Sequence, residues 1–140
     1  MTQFSTRPIE RELIAQVLNV ARRSPSGVNT QPWQVRVLTR AGTGTQAPCV
    51  LAFSIERLLG LGSQIDCGMF VASVQLAANA RGLATVVTTN FGDGRHAAEQ
   101  AMLIPDTELL LCTMQIGYPG SDAAPASPVK DIPVSWLGQV

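Results

Sequence analysis

Ten carboxylates, three cysteines and one histidine are the acids, bases and nucleophiles available to this chain of 140 residues. Glu10, Glu12, Glu56, Asp66, Asp93, Glu99, Asp106 and Glu108 stand scattered at the ends of elements, and no two are placed as a general acid and its base. A Ser-His-Asp triad or a histidine-rich zinc site would have to be built on His96, which falls in the polar start of a surface helix and reads as an exposed structural residue; no metal site is expected. Cys49, Cys67 and Cys112 are far apart in apolar surroundings without a CxxC, so they read as buried reduced thiols, in a setting that disfavours the thiolate a nucleophile needs. Gly42-Thr43-Gly44-Thr45-Gln46-Ala47 fits the dinucleotide pattern GxGxxA after a strand, but Pro48 and a strand-like run follow where a helix N-terminus would have to meet the pyrophosphate. No Walker A sequence is present. Side-chain catalysis is therefore poorly supplied, which leaves binding, scaffolding or a cofactor that brings its own chemistry.

The elements that must position any such site follow from periodicity. Ile9, Leu13, Val17, Val20 and Ala21 keep helical spacing, with Glu10 and Glu12 at the start and Arg22 and Arg23 at the end to suit the dipole. The helix must stop in Ser24-Pro25-Ser26-Gly27-Val28-Asn29-Thr30-Gln31-Pro32, whose prolines, glycine and small polar residues no regular element tolerates. Trp33 to Leu38 and Cys49 to Ile55 read as strands. Ser63 and Asp66 suggest a capping box opening a helix through Ile65, Met69, Phe70, Val74, Ala77 and Ala80 that ends at Arg81-Gly82. From Cys67 to Ala80 this helix carries no charge, so it should be buried on several sides, as core and as part of a dimer interface. Leu83 to Thr89 reads as a strand and Gly94 to Leu103 as a short helix. Glu108 to Ile116 reads as a central strand, because Leu109, Leu110 and Leu111 run without alternation. The expected class is α+β, helices packed on a sheet of at least four strands, with residues 1–118 as one core domain. Residues 119–140 are expected to form an extended arm docked on the partner subunit, with four prolines from Pro119 to Pro133.

Composition narrows the partners. Equal numbers of acidic and basic residues and a pI near 6.5 leave no basic face for nucleic acid. Charged residues make up 14% of the chain, against about 25% in ordinary soluble domains, which points to a large buried subunit interface. The opening residues lack a signal sequence and no apolar run reaches membrane-spanning length, so a cytoplasmic protein without a membrane partner is expected.

The run Ala21-Arg22-Arg23-Ser24-Pro25-Ser26-Gly27-Val28-Asn29-Thr30-Gln31-Pro32-Trp33 resembles the signature of the nitroreductase family of flavin oxidoreductases. Leu59-Gly60-Leu61-Gly62-Ser63, Asp66, Gly68-Met69-Phe70, Leu76-Ala77-Ala78, Ala80-Arg81-Gly82-Leu83 and Thr85 resemble its central helix and following strand. Ile104-Pro105-Asp106, Ile116-Gly117-Tyr118 and Val134-Ser135-Trp136-Leu137-Gly138 resemble later landmarks in the same order. The resemblance implies a sandwich with a central, mixed but mainly antiparallel sheet flanked by helices, reduced in size. It implies a homodimer holding FMN at the subunit interface, with hydride passing from NAD(P)H through the flavin to a small aromatic acceptor such as a nitroaromatic, or to a quinone. It assigns the cofactor to Pro25, Ser26, Gly27, Val28, Asn29 and Gln31, and to Val87, Thr88 and Thr89 near the reactive flavin nitrogen; no side chain is assigned as a proton donor. A small-residue turn suits this role because backbone amides and the Asn29 amide can approach a flat heterocycle edge of alternating donors and acceptors.

Two departures from the family pattern stand out. Members usually begin with an arginine-rich, serine-containing motif whose arginines hold the FMN phosphate, and this chain starts after that point; the later basic position aligns with Ser127, leaving Lys130 as its nearest cation. Arg7, Arg11, Arg22 and Arg23 are the remaining candidates, the last two also reading as caps of the first helix. Between Leu38 and Pro48 the family inserts several dozen residues that cover the active site, replaced here by a short Gly/Thr connector, so an open, solvent-accessible cleft is expected. These losses leave a second reading open, a reduced and non-catalytic dimeric scaffold or planar-ligand binder without tight FMN.

Overall fold

A computed structural model describes residues 3–42, 46–122 and 127–138. The centre of the GxGxxA run, residues 43–45, and residues 123–126 and 139–140 of the expected arm lie outside the described residues. The elements run α1 (Arg11–Ala21), β1 (Gln34–Thr39), β2 (Cys49–Glu56), α2 (Leu61–Asn79), β3 (Ala84–Thr88), α3 (Arg95–Ala101) and β4 (Glu108–Gly117), with short 3-10 turns at Gly27–Asn29 and Gly92–Gly94. No helix among them is long and apolar enough to cross a membrane.

The four strands form one sheet in the order β1-β2-β4-β3, and its three pairings are all antiparallel. β2 is buried from Cys49 to Ile55 because both of its faces are covered. Cys49, Leu51, Phe53 and Ile55 pack with Ile14, Val17 and Ala21 of α1 and with Cys67, Phe70, Val71 and Val74 of α2. Val50 and Ala52 pack on the other face with Met102 and Leu110, against Ala98 of α3, Phe91 and Ile104. The result is an α+β sandwich with α1 and α2 on one side and α3 on the other.

The unalternating Leu109-Leu110-Leu111 run has a specific cause. Phe53 pairs with Cys112 and the next residue, Ser54, pairs with Leu110, so Leu111 is an extra residue in β4 and the side-chain alternation resets there. Leu110 consequently faces the α3 side while Leu109 and Leu111 face α1 and α2. β4 is an interior strand, as expected, but antiparallel on both sides.

The opening of α2 differs from the capping box read in the sequence. The helix starts at Leu61, its N-cap Gly60 has no side-chain cap, and Asp66 lies in the second turn with its carboxylate turned to another segment. At its other end Gly82 takes a positive φ of 77° while Leu83 donates to the Ala78 carbonyl, the expected glycine stop. Arg22 closes α1 through its backbone, but neither Arg22 nor Arg23 brings its side chain to a helix carbonyl. Near the N-terminus Phe4 is buried and bridges to Pro119, and Ser5 donates to the Tyr118 carbonyl, so the start of the chain is sewn to the end of β4.

Candidate functional site

One face of α2 holds the segment between α1 and β1. Three positions at helical spacing, Asp66, Phe70 and Ser73, each meet a different part of it. Ser24 Oγ lies 2.6 Å from Ser73 Oγ, the Gly27 N–H donates to Asp66 Oδ2 at 3.0 Å, and the Trp33 ring stacks on Phe70 with centroids 4.6 Å apart.

Within that frame the loop is tightly folded. Asn29 N–H donates to the Ser26 carbonyl, Thr30 N–H to the Gly27 carbonyl and Gln31 N–H to Ser26 Oγ. Val28, Asn29 and Gln31 have φ values of 52°, 55° and 47°, in the left-handed region. A residue other than glycine or asparagine costs roughly 1–2 kcal/mol there, and a β-branched valine is the least suited of all. Strain of this kind persists only where neighbouring contacts over-determine it, and it gathers at ligand clamps. Val28 buries nothing in return, being 99% exposed in the single chain.

The loop's free valences are also set. Gln31 Nε2 donates to Asn29 Oδ1 at 3.1 Å, which occupies the amide oxygen of Asn29 and leaves its NH2 to donate outward. Among the described residues the Val28 N–H has no acceptor either, so the loop presents two donors side by side. Gly27 through Gln31 are all exposed, and no described element covers them. A cleft of about 580 Å³ lined by Ile9, Arg11, Leu18, Val37, Arg40 and Pro48 lies at the far end of β1, away from this loop.

The second group of sequence-assigned residues sits at the same end of the sheet but on the opposite edge. Gln34, where β1 begins, is level with Ser54 and Leu110, and Thr88, where β3 ends, is level with Thr113 and Ala52. Three strand spacings, roughly 14 Å, separate the two edges. Val87 packs its side chain on the core, so its backbone is what it can offer; Thr88 is half-buried and Thr89 is exposed just past the strand. In a single chain the loop and the end of β3 do not touch.

The remaining candidates do not converge there. His96 is exposed at the start of α3. Cys49, Cys67 and Cys112 are buried free thiols. Burial pushes Cys49 and Cys112 up to about 11, and Cys67, raised further by the nearby Cys112, to about 12. An ion pair lies on the α3 face: Arg36 grips Glu108 with two bonds of 2.7 and 2.8 Å, and the fully buried Ser54 hydroxyl donates to the same carboxylate at 2.6 Å. The Arg36 hydrogen bonds, opposed by burial and helped by Ser54, hold Glu108 below the usual carboxylate value. Glu108 in turn raises Arg36.

Sequence reasoning missed the role of α2 in shaping the loop. The available signal was two polar residues, Asp66 and Ser73, seven apart on a helix otherwise apolar on most sides, with Phe70 between them.

Comparison with known proteins agrees with this architecture. The model of the nitroreductase family matches residues 3–47 and 40–118, two stretches that meet at the short connector. A 4-nitrobenzoate reductase of Pseudomonas putida is 23% identical over 184 aligned positions, covering 86% of this chain and 81% of the relative. An alignment so much longer than the chain means that the relative carries residues this chain lacks. Among solved structures, the FMN and NADPH-dependent nitroreductase NfnB from sphigopyxis sp. strain HMH superimposes with a TM-score of 0.83 at 21% identity, covering 98% of this chain and 94% of the other. Iodotyrosine deiodinase bound to FMN and 3-iodo-L-tyrosine gives the same TM-score at 19% identity, covering 98% and 93%. At these identities the likeness establishes the fold.

Proposed function

As this chain belongs to the nitroreductase family, we propose that it is an FMN-dependent oxidoreductase, working as a homodimer in the cytoplasm, that takes electrons from NAD(P)H and passes them to an electron-poor acceptor such as a nitroaromatic or a quinone. The observation that carries this reading is the exposed 26–31 loop, pre-folded in a strained conformation with the Val28 N–H and the Asn29 NH2 presented outward. Those donors suit the carbonyl-bearing edge of a flavin, so the donor set fits FMN at its ring. For the phosphate, Arg22 and Arg23, at the end of α1 that leads into the loop, are exposed and make no ion pair among the described residues, whereas Arg11 lies at the other end of α1. Bound FMN would supply the two-electron chemistry itself; the chain's part is to hold and orient two planar molecules, which requires no acid-base pair.

The homodimer is supported by what the single chain leaves uncovered. Leu61, Ile65, Met69 and Leu76 form an exposed apolar stripe along α2, beside the face that holds the loop. A second copy laid on this stripe would bring the loop of one protomer towards the β3 end of the other, where Thr88 and Thr89 could complete the site.

An absorbance spectrum of the purified protein, followed by fluorescence titration with FMN and riboflavin, tests the proposal. Flavin binding with bleaching on addition of NAD(P)H is expected. Binding of neither flavin would overturn it and leave the non-catalytic scaffold.

A further inference from the structure

The hydrogen-bond pattern around Gly27 singles out a residue that acts on the candidate loop from outside. Among the described residues, every other hydrogen bond made by residues 25–31 stays within the segment: Asn29 to Ser26, Thr30 to Gly27, Gln31 to Ser26 and the Gln31–Asn29 amide pair. Those bonds fold the loop but do not place it. Among the described residues, the bond from the Gly27 N–H to Asp66 Oδ2 is the one that ties the segment to another element. The Ser24–Ser73 and Trp33–Phe70 contacts hold only its two ends.

We propose that Asp66 is a positioning residue, holding Gly27 against α2 so that Val28 and Asn29 present their donors at a fixed height beside the apolar stripe; this rests on the reading of 26–31 as the flavin-facing loop. Gly27 is the pivot of the turn, since its N–H is held by the helix while its carbonyl closes the turn onto Thr30. Asp66 can do this because it is itself fixed: it is buried, 9% exposed, on the second turn of a 19-residue helix whose next residue, Cys67, is in the core. A carboxylate accepting a backbone N–H makes a charge-assisted bond, stronger than an amide oxygen would make in its place. An asparagine could still accept from Gly27, whereas an alanine could not, and this separates positioning by a hydrogen bond from a general need for the aspartate.

The experiment compares Asp66→Ala and Asp66→Asn in the full chain, with two readouts. The first is hydrogen exchange at the Gly27 amide in flavin-free protein; the second is the FMN dissociation constant from fluorescence quenching. Asp66→Ala should speed exchange at Gly27 and weaken FMN, each by about tenfold or more, as loss of one charge-assisted bond requires. Asp66→Asn should hold both within about threefold of the unsubstituted protein. Should Asp66→Ala not fold, Asp66→Ser, whose hydroxyl is too short to reach Gly27, takes its place. Unchanged Gly27 exchange in the Ala or Ser variant would overturn the tether. Faster exchange with unaltered FMN binding would overturn the positioning role, as would an Asn variant as poor as the Ala variant. Failure of the unsubstituted protein to bind FMN would instead refute the functional reading, and the exchange rates would still decide the tether.

Discussion

The indole of Trp33 lies flat on the ring of Phe70, their planes 5° apart, while Phe53 meets Phe70 edge-on at 6.0 Å. Trp33 is the last residue before β1, Phe70 is mid-way along α2 and Phe53 is in the interior strand β2, so one aromatic cluster joins the exit of the candidate loop to the helix that holds it and to the sheet.

Truncating the middle ring should therefore be costly. Phe70→Ala is expected to destabilise the protein by about 3–5 kcal/mol in chemical denaturation, as for large-to-small changes in cores. The near-ultraviolet circular dichroism of Trp33 should collapse with it. Retention of that signal would mean that the indole is held by its other neighbours.

Strain in the loop gives a prediction of opposite sign. Val28 holds a left-handed φ with its side chain in solvent, so Val28→Asn should relieve strain without removing a contact. A gain of about 1 kcal/mol, or roughly 4 °C in Tm, is expected. Thermal unfolding measures it, and a lowered Tm would show that the valine makes a contact not seen in the single chain.

How much of this was legible in the sequence differs by layer. The helix of Val17 and Ala21, the buried strand of Leu51 and Phe53 and the stop at Gly82 follow from local periodicity and backbone preference, and each formed where its residues required. The segment from Ser24 to Trp33 was legible as a loop but its shape was not, since Val28 at positive φ contradicts local preference and is imposed by contacts 37 residues or more apart in sequence, to Asp66, Phe70 and Ser73. The Ser63–Asp66 capping box failed because the helix already begins at Leu61, with Ser63 inside its first turn, while a distant backbone N–H takes the Asp66 carboxylate. The bulge at Leu111 was visible only as broken alternation, which buried central strands also produce.

The Arg36–Glu108 pair should set the acid limb of stability. Glu108 is held below its usual value of 4.5, so its contribution is complete above pH 4.5 and is lost as pH falls through the lower folded value. Glu108→Gln should cost about 3 kcal/mol at pH 7, the low end for breaking a buried pair because Arg36 keeps 28% of its side-chain exposure. The deficit should shrink towards pH 3, and urea melts at the two pH values decide it; an equal deficit at both would assign the loss to packing.

The three thiols should set the alkaline limb. Each stays protonated in the folded chain up to about 11 or 12, whereas an unfolded thiol titrates near 9.0. Above pH 9 the unfolded chain therefore binds fewer protons than the folded one, and stability should fall as pH rises towards 11. At pH 8 a thiol reagent should modify the cysteines no faster than the protein opens, so adding urea should accelerate the reaction. Rapid modification of the folded protein would show a thiol within reach of solvent.

The arm provides the test of assembly. Val129, Ile132, Val134, Trp136 and Leu137 are all exposed in the single chain, Trp136 at 79%, which is too much apolar surface for a free tail, and the stripe on α2 is exposed as well. Both surfaces would be buried if the arm of one copy lay on the other. In sedimentation the full chain should then run as a dimer, with Trp136 shielded from acrylamide, and dilution to monomer should open it to quenching. A chain ending at Pro119 should give monomer or aggregate. A truncated chain that still forms the same dimer would remove the arm from the interface and leave the α2 stripe to account for association alone.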